Sequence, residues 1–347
     1  MGWFTSRLLN GSFGDAALLL ESARTGTGLL FDLGDLHVLS AKELLKISHV
    51  FVSHTHLDHF AGFEQLLRQN LSRPAPLHLY GPRDFIRQVQ AKLQGFTWNL
   101  INDPCYTLEI IVTEVRPRGL LRQRFLSRDA FTPQAPPAKL ANNQGLLLDN
   151  DDFSVHCAIL DHGTPSLAFC LTEKARRHIE TRALEVLGLK DGPWLKDFLA
   201  ALAQGRDDKC PVTVPDVNGL ENTYDLGYLR RNIVAVTPPR KLAYVTDLVY
   251  SPGNIRKVRR LAYKADMLYI EAAFMAADAG HAPLKKHLTT GQCAAIIKMC
   301  RPKQWTIFHF SHKYQKREDL VWAEVRETLK ALNQKAPGKP DTDASLP

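Results

Sequence analysis

The segment HTHLDH, residues 54–59, places three imidazoles and one carboxylate within six consecutive positions. Imidazole nitrogen and carboxylate oxygen are ligand atoms that zinc prefers in proteins, and iron or manganese can occupy similar sites. Side chains on an extended backbone alternate with a period of two, so His54 and His56 can reach one ion. Asp58 and His59 follow where the chain turns and suit a neighbouring second ion. The segment therefore predicts a two-metal centre.

The histidine-rich segment lies between a predicted strand and a predicted helix. SHVFVSH (48–54) is a short apolar run of strand length, and FAGFEQLLRQNL (60–71) has its apolar residues on one helical face. A helix behind a threonine cap is predicted at TTGQCAAIIKMC (289–300). Further strands are predicted at GLLFDLG (28–34), PLHLYG (76–81), FSVHCAILDHG (153–163), LAFCLTE (167–173), RKLAYVTDL (240–248), ADMLYIEAAF (265–274) and QWTIFHFS (304–311). This alternation predicts an α/β fold with hairpins as well as crossovers.

The composition is that of an ordinary globular protein. Of the 347 residues, 45% are hydrophobic and 23% are charged, and no uncharged apolar run approaches the roughly eighteen residues of a membrane span. The six cysteines form no CxxC pair, which argues against a disulfide framework or cysteine-bound zinc and favours a cytoplasmic location. A formal charge of +8 favours an anionic partner, and the lack of a long apolar run predicts no membrane partner.

The chain is expected to form one domain, residues 1–332, that carries an inserted arm at 174–235. The arm is charged and is broken by glycine and proline, and a second stretch, 116–146, also looks inserted because it is rich in Arg, Pro and Gln. The last residues, 333–347, have the composition of a disordered tail.

HTHLDH resembles the signature of the metallo-β-lactamase superfamily, whose fold is an αββα sandwich with a dinuclear site at one sheet edge. The resemblance implies three more ligands downstream, each at the end of a strand. His162, in AILDHGTPS, matches the third histidine of the first metal, Asp247, in AYVTDLVYS, matches the bridging carboxylate, and His309, in WTIFHFSHKY, completes the second metal. The implied cofactors are two Zn²⁺, with Mn²⁺ or Fe as alternatives. The implied ligands are His54, His56, Asp58, His59, His162, Asp247 and His309.

Other motifs narrow the resemblance to the ribonuclease Z family, over roughly residues 28–320. They are FHFSHKY (308–314), HLTT (287–290), IEAAF (270–274), LDHGTPSLAFCL (160–171) and EVLGLKDGPWLKDFL (185–199). The sequence departs from the family's usual residues without losing an implied metal ligand. The departures are Leu57, Val245, Thr246, Ile270, Ala273 and Lys313, together with an opening loop that lacks the family's Gly-rich sequence.

The resemblance implies an endoribonuclease that removes the 3′ trailer of precursor tRNA by two-metal hydrolysis. Asp58 is similar to the family residue that holds the attacking water. His287, oriented by Glu271, is the candidate general acid for the departing 3′ oxygen. The arm would grip the tRNA backbone, through the residues Arg176, Arg177, Lys190, Trp194 and Lys196. Members of the family often form homodimers, which makes a second copy of this chain a candidate partner.

Two other functions fit the same residues. A metallo-hydrolase acting on a small phosphodiester, such as a cyclic nucleotide, would use the same metals without the arm. A non-catalytic RNA-binding relative is disfavoured because such a protein is expected to have lost metal ligands, and none is lost here.

Overall fold

The computed structural model describes residues 4–101, 105–141 and 144–334. The chain divides into two compact units, of which the first comprises Met1–Glu173 with Arg240–Pro347 and the second comprises Lys174–Pro239. The HTHLDH segment lies in the first unit, and the predicted arm falls within the second. The description of residues 1–332 as a single domain stays a prediction.

The first unit contains two sheets, whose strands and helices are numbered in chain order. Within the described residues, the first sheet has the order β1 to β8. These strands are β1 (Phe4–Leu8), β2 (Leu18–Ser22), β3 (Gly28–Phe31), β4 (Ile47–Phe51), β5 (Leu77–Gly81), β6 (Glu109–Arg116), β7 (Gly119–Leu126) and β8 (Ala138–Leu140). The associated helices are α1 (Ala41–Lys46), α2 (Leu57–Phe60), α3 (Phe63–Asn70) and α4 (Phe85–Gln94). Strands β3 to β6 run parallel, and β7 and β8, from the stretch that looked inserted, extend the sheet as antiparallel strands.

The second sheet has the order β18, β17, β16, β11, β10, β9. These strands are β9 (Leu146–Asp149), β10 (Phe153–Asp161), β11 (Pro165–Glu173), β16 (Lys241–Val245), β17 (Met267–Glu271) and β18 (Gln304–Phe308). The helices that follow β16 are α8 (Pro252–Ala262), α9 (Ala282–Lys285), α10 (Thr290–Cys300) and α11 (Glu318–Gln334). Helix α11 continues through the first two residues of the predicted disordered tail, and residues 335–347 lie outside the described part of the chain.

The two sheets pack face to face through aromatic rings. The Phe169 ring lies 5.7 Å from Phe31 and 5.6 Å from Phe51, which are on the opposite sheet. A second apolar layer packs between the first sheet and its helices, and a third between the second sheet and its helices. Burial of apolar area on both faces of each sheet is the main stabilising contribution of such a sandwich. The layers are therefore helix, sheet, sheet, helix.

Helix α10 fixes the chain just after His287. Its N-cap Thr289 accepts a hydrogen bond from the backbone N–H of Gln292, at 3.2 Å, and Gln292 Oε1 accepts one from the backbone N–H of Thr289, at 3.0 Å. This reciprocal capping box satisfies two donors that would otherwise be unpaired at the start of the helix. It holds in place the segment to which the candidate general acid belongs.

The second unit has its own small core. Its elements are β12 (Arg176–Ile179), α5 (Thr181–Val186), α6 (Trp194–Ala203), β13 (Pro211–Pro215), β14 (Glu221–Asp225), α7 (Leu226–Ile233) and β15 (Val234–Thr237). Strands β12 and β15 pair antiparallel, and β13 and β14 form a hairpin. Leu184, Phe198, Leu202, Val214 and Leu229 are buried together. The inserted sequence therefore forms a compact body with its own packing.

Candidate metal centre

The HTHLDH segment follows β4, and its four ligand-type side chains lie beyond the end of that strand. The strand ends at Phe51, so the period-two alternation of a strand does not explain why His54 and His56 meet. A non-helical stretch carries both instead, and His56 is the N-cap of the single-turn helix α2, which carries Asp58 and His59. His54 Nε2 and His56 Nδ1 lie 2.9 Å apart.

Three overlapping groups of ligand-type side chains meet at the sheet edge, and the third, Asp247, His287 and His309, joins the candidate proton donor to the other two. In the first, His54, His56, His162 and Asp247 present ligand atoms within 4.8 Å of one another. In the second, Asp58, His59 and His309 do the same. The seven residues named from the sequence as ligands therefore lie together.

Asp247 lies between the two groups. Its Oδ2 is 3.5 Å from His54 Nε2 and 3.4 Å from His162 Nε2. The same oxygen is 3.5 Å from His59 Nε2, and Oδ1 is 3.5 Å from His309 Nε2. One carboxylate can therefore serve both groups, as the bridging position requires.

Strand ends of the second sheet supply the partners of the HTHLDH segment. His162 follows β10, Asp247 comes two residues after β16, and His309 follows β18 directly. Asp247 and His309 have φ angles of 45° and 60°, a left-handed conformation that is uncommon for residues other than glycine. Such strain persists where the surrounding structure enforces it, and it is frequent at functional sites.

The donor set fits divalent cations. His59 Nε2 and His309 Nε2 approach to 3.1 Å, and Asp58 Oδ2 lies 3.4 Å and 3.2 Å from these two nitrogens. Two imidazole nitrogens this close either share a proton or direct their lone pairs at one cation. Histidine and aspartate together form the nitrogen and oxygen set found around zinc and related metals.

The electrostatics of the cluster keep the carboxylates ionised. Burial raises the pKa of Asp247, but His309 and His59 lower it further, so the net pKa lies well below the ordinary value. Burial also raises the pKa of Asp58, and hydrogen bonds with the same two histidines more than offset it. Burial and the charge of His59 lower the pKa of His54 to about 2, which keeps this ring in the neutral form that can bind a metal.

A buried carboxylate that the sequence reasoning did not single out orients His59. Asp32 follows β3, is fully buried, and its Oδ2 accepts hydrogen bonds from His59 Nδ1 at 2.8 Å, Tyr244 OH at 2.8 Å and Ser53 Oγ at 2.9 Å. A carboxylate on the outer nitrogen of a ligand histidine fixes the ring and raises its basicity. The available signal was a lone charged residue directly after the apolar run GLLF. His162 is fixed similarly, because its Nδ1 lies 2.9 Å from the carbonyl oxygen of Lys286.

The contact between Asp32 and His59 gives a prediction for metal affinity. We expect Asp32→Asn to weaken metal binding by about 10- to 100-fold, the usual effect of losing such an outer carboxylate. Asparagine tolerates the φ of 62° at this position, so the backbone should be retained. Tyr244→Phe removes only one of the hydrogen bonds to Asp32 and should have a smaller effect. Competition with a chelator measures both affinities, and an unchanged affinity in Asp32→Asn would contradict the role assigned to Asp32.

The predicted proton donor lies beside the cluster and is held by a buried glutamate. His287 Nδ1 is 3.0 Å from Glu271 Oε2, and the backbone N–H groups of Leu248 and Leu288 also donate to Glu271. Burial lowers the pKa of His287, but the charge of Glu271 and this hydrogen bond raise it, to about 9. Asp247 Oδ2 lies 4.0 Å from His287 Nδ1. A divalent cation bound next to Asp247 would therefore lower the pKa of His287 towards neutrality.

A cleft of about 510 Å³ opens onto this group. Asp58, His287 and His309 line it together with aromatic, basic and acidic side chains. The aromatic and basic members include Phe13, Phe274, Phe310, His281, Lys285 and Lys313, and the acidic members are Asp15 and Asp278. The cleft suits a substrate that carries both negative charge and flat rings.

None of the departures from the ribonuclease Z motifs replaces one of the seven ligand-type residues. Ile270 is buried in the apolar layer under the helices of the second sheet, on the face away from Glu271. Leu57 is 81% exposed, and Lys313 pairs with Asp278 at 2.5 Å. Thr246 contributes to the site, since its hydroxyl donates to Asp247 Oδ1 at 2.6 Å.

The residues predicted to bind RNA all lie in the second unit, on different elements. Arg176 and Arg177 lie on β12. Trp194 begins α6, donates from Nε1 to the carbonyl oxygen of Lys190 at 2.8 Å, and packs partly buried on the core of the unit. Lys196 lies exposed on α6. The Trp194 ring, which was expected to face RNA, therefore packs partly against the core of the second unit.

Comparison with known proteins identifies relatives over nearly the whole chain. The ribonuclease Z of Deinococcus radiodurans is 28% identical over 315 residues, which cover 90% of each protein. The chain is a relative of ribonuclease Z. No protein-family model matches it.

Solved structures agree on the fold. The metallo-β-lactamase fold protein YhfI of Bacillus subtilis aligns with this chain at a TM-score of 0.53 and 14% identity. The alignment covers 94% of this chain and 94% of the YhfI chain. A long form of RNase Z from yeast aligns at a TM-score of 0.51 and 13% identity. This alignment covers 90% of this chain and 38% of the yeast chain. The predicted metallo-β-lactamase fold and the resemblance to ribonuclease Z are thus confirmed.

Proposed function

We propose that this chain is a metal-dependent endoribonuclease that removes the 3′ trailer of precursor tRNA. One observation carries the proposal. The seven ligand-type side chains lie next to the His287–Glu271 pair, and members of both line one cleft. The sequence relationship to a protein named ribonuclease Z supports tRNA as the substrate class. Zinc is the metal we propose, because the ligands are imidazole nitrogens and carboxylate oxygens.

The seven ligands would hold two cations, with Asp247 shared between them. When bound, two divalent cations lower the pKa of a water molecule and neutralise charge on the phosphoryl oxygens. Asp58 is the one ligand carboxylate with a substantial exposed part, since 41% of its side chain remains accessible, and it lines the cleft. In the proposal, Asp58 holds the attacking water and accepts its proton.

His287 protonates the departing oxygen in this proposal. Glu271 holds the ring through Nδ1, which leaves Nε2 available for the substrate. Cleavage would release a tRNA that ends in a 3′ hydroxyl and a trailer that carries a 5′ phosphate. The 3′ oxygen is a poor leaving group without a proton, so a positioned imidazolium speeds this step.

The test of the proposed function compares two substrates. Metal-loaded protein should cleave trailer-bearing precursor tRNA at the 3′ end of the acceptor stem, with kcat/KM at least a hundredfold above that for bis(p-nitrophenyl) phosphate. Cleavage should stop when the metal is chelated and return when zinc is restored. Hydrolysis of the small diester without cleavage of precursor tRNA would reject the tRNA substrate and retain the chemistry.

A small phosphodiester, such as a cyclic nucleotide, is the second candidate substrate. All seven ligands, Glu271 and His287 belong to the first unit, so the bond-breaking groups are complete without the second unit. The presence of the full ligand set argues against a non-catalytic RNA-binding protein.

The second unit is proposed as the arm that binds the tRNA backbone. Its core residues come from both halves of the insertion, so a deletion test should remove the whole unit, Lys174–Pro239. The backbone N–H of Glu173 donates to the carbonyl oxygen of Arg240 at 2.8 Å, so a short turn can join the two ends. We expect the deletion to raise KM for precursor tRNA at least tenfold while hydrolysis of bis(p-nitrophenyl) phosphate is unchanged.

A milder variant of the arm keeps the unit intact. Arg177 and Lys196 are exposed, so Arg177→Glu with Lys196→Glu reverses two charges without disturbing the core. It should weaken tRNA binding and lower the salt dependence of binding, because backbone phosphates supply that dependence. Unchanged KM in both variants would show that the unit does not bind the substrate.

The location and the assembly of the protein are also proposals. Among the described residues, no helix is both long and apolar enough to cross a lipid bilayer. We propose a cytoplasmic enzyme, because its cysteines form no CxxC pair, and a homodimer, on the basis of the family resemblance.

A further inference from the structure

A second and larger concavity lies on the outer face of the second sheet, away from the cleft of the metal centre. It encloses about 1210 Å³. Val155 and Cys157 of β10 pack between the two sheets, so His156 and Ala158 face outwards. We call this concavity the β10–α8 groove. It is lined by residues of β10, β11 and α8 and by the turn between β6 and β7.

The described lining of the β10–α8 groove is cationic. It contains two lysines, two arginines and one histidine, and no aspartate or glutamate. These residues are Arg118, His156, Lys241, Lys257 and Arg260. Burial lowers the pKa of His156, so the positive charge of the lining comes from the two lysines and the two arginines.

The charges of the groove are not neutralised by ion pairs. Elsewhere in the first unit cations pair with acids, as Arg124 does with Glu109 at 2.6 Å and Lys303 with Asp266 at 2.7 Å. Within the described residues, by contrast, no ion pair involves the two lysines or two arginines of the groove. Lys257 Nζ donates to the carbonyl oxygen of Ile159 at 2.7 Å and Lys241 Nζ to that of Tyr263 at 3.0 Å, contacts that orient each ammonium and leave its charge in place.

The sequence of α8 presents two of these cations together. Lys257 and Arg260 are three positions apart, so they share one face of the helix. Arg256 and Arg259 lie on the same exposed helix but do not line the groove. The helix thus provides two pairs of equal charge, one inside the groove and one outside it.

The groove is connected to the metal centre by β10, which lines the groove and ends next to His162. A strand rises by about 3.3 Å per residue. Ile159, three residues before His162, is therefore about 10 Å from His162 along the strand, and His156, six residues before it, is about 20 Å from it. A single small anion would occupy a small part of such a groove. A chain of phosphates would extend along it.

From the size, the unneutralised charge and the position of the β10–α8 groove, we infer that it binds the phosphate backbone of an RNA whose scissile bond lies in the metal-centre cleft. The inference rests on the proposed function, because it assigns a second contact surface to the same substrate. Backbone phosphates are bound by Lys and Arg without sequence reading, and A-form RNA is recognised largely in this way. The second unit and the β10–α8 groove would then hold the tRNA independently.

The test measures binding separately from cleavage. The probe is mature tRNA without a trailer, and its Kd is measured by fluorescence anisotropy with the full-length, metal-loaded protein. We expect Lys257→Glu with Arg260→Glu to raise Kd at least tenfold and to lower the slope of log Kd against log salt by about 1 to 2, as for the loss of one or two phosphate contacts. Hydrolysis of bis(p-nitrophenyl) phosphate should be unchanged, because neither residue belongs to the metal centre.

The matched control is Arg256→Glu with Arg259→Glu, which makes the same change in net charge on the same helix outside the groove. It should raise Kd less than threefold. Equal losses in both pairs, or no loss in the groove pair, would overturn the inference. Lys257→Gln with Arg260→Gln guards against misfolding of the reversed pair and should raise Kd in the same direction by a smaller factor. If the groove pair weakens tRNA binding in a protein that does not cleave precursor tRNA, the groove stands and the proposed function fails.

Discussion

Replacement of Asp247 by asparagine is expected to lower cleavage by about 10³-fold or more and to reduce the bound metal, because this carboxylate lies close to histidine nitrogens of both ligand groups. Asparagine keeps the size of the side chain and tolerates the φ of 45°, so the change removes charge with little backbone strain. In the proposed centre, Asp58 and Asp247 would be the anionic ligands for two dications, and the loss of either would leave a large positive excess.

Metal analysis after dialysis, together with kcat/KM on precursor tRNA, checks this expectation. Asp161→Asn is the matched control, because Asp161 ends β10 next to His162 and yet lies outside both ligand groups. It should keep its metal and most of its activity. If Asp247→Asn retained two metals per chain and normal turnover, the bridging role of Asp247 would be wrong.

Replacement of His287 by alanine is expected to slow cleavage of precursor tRNA by on the order of a hundredfold or more while the metal content stays intact. The reason is that His287 faces the cleft beside the cluster, and Glu271 fixes one of its nitrogens. A general acid matters most when the departing oxygen is strongly basic. The 3′ oxygen of a ribose is such a leaving group, whereas p-nitrophenolate departs without a proton.

The two substrates therefore separate a proton donor from a structural histidine. Loss of the proton donor should reduce kcat on RNA much more than kcat on bis(p-nitrophenyl) phosphate. His281→Ala, at the outer rim of the same cleft, is the control and should alter KM more than kcat. An equal loss on both substrates would mean that His287 positions the site and does not donate a proton.

The residues predicted as ligands could be picked out from the sequence because they either lie next to one another in the chain or follow predicted strands. His54, His56, Asp58 and His59 are near neighbours in the chain, and the strand ends carrying His162 and His309 could be read from apolar runs. The αββα sandwich came from the resemblance, since alternating strands and helices alone indicate only an α/β fold.

Other features depended on contacts between distant residues that no local pattern encodes. Asp32 is an ordinary aspartate after a strand until folding places it against His59, 27 positions away. The segment around Arg176 and Arg177 is charged enough for a solvated helix, but pairing with Val234–Thr237 makes it a strand. The β10–α8 groove joins cations from three separate stretches of sequence, and only the α8 stretch, which contains Lys257 and Arg260, is a basic run.

The ligands of the proposed metals come from both sheets, His54 to His59 from the first and His162, Asp247 and His309 from the second. Bound ions would therefore cross-link the two sheets at this edge of the sandwich, and with them the early and late parts of the chain. Loss of metal would then cost the enzyme its resistance to heat and proteolysis as well as its chemistry. Metal scarcity in a cell would on this basis shorten the lifetime of the protein.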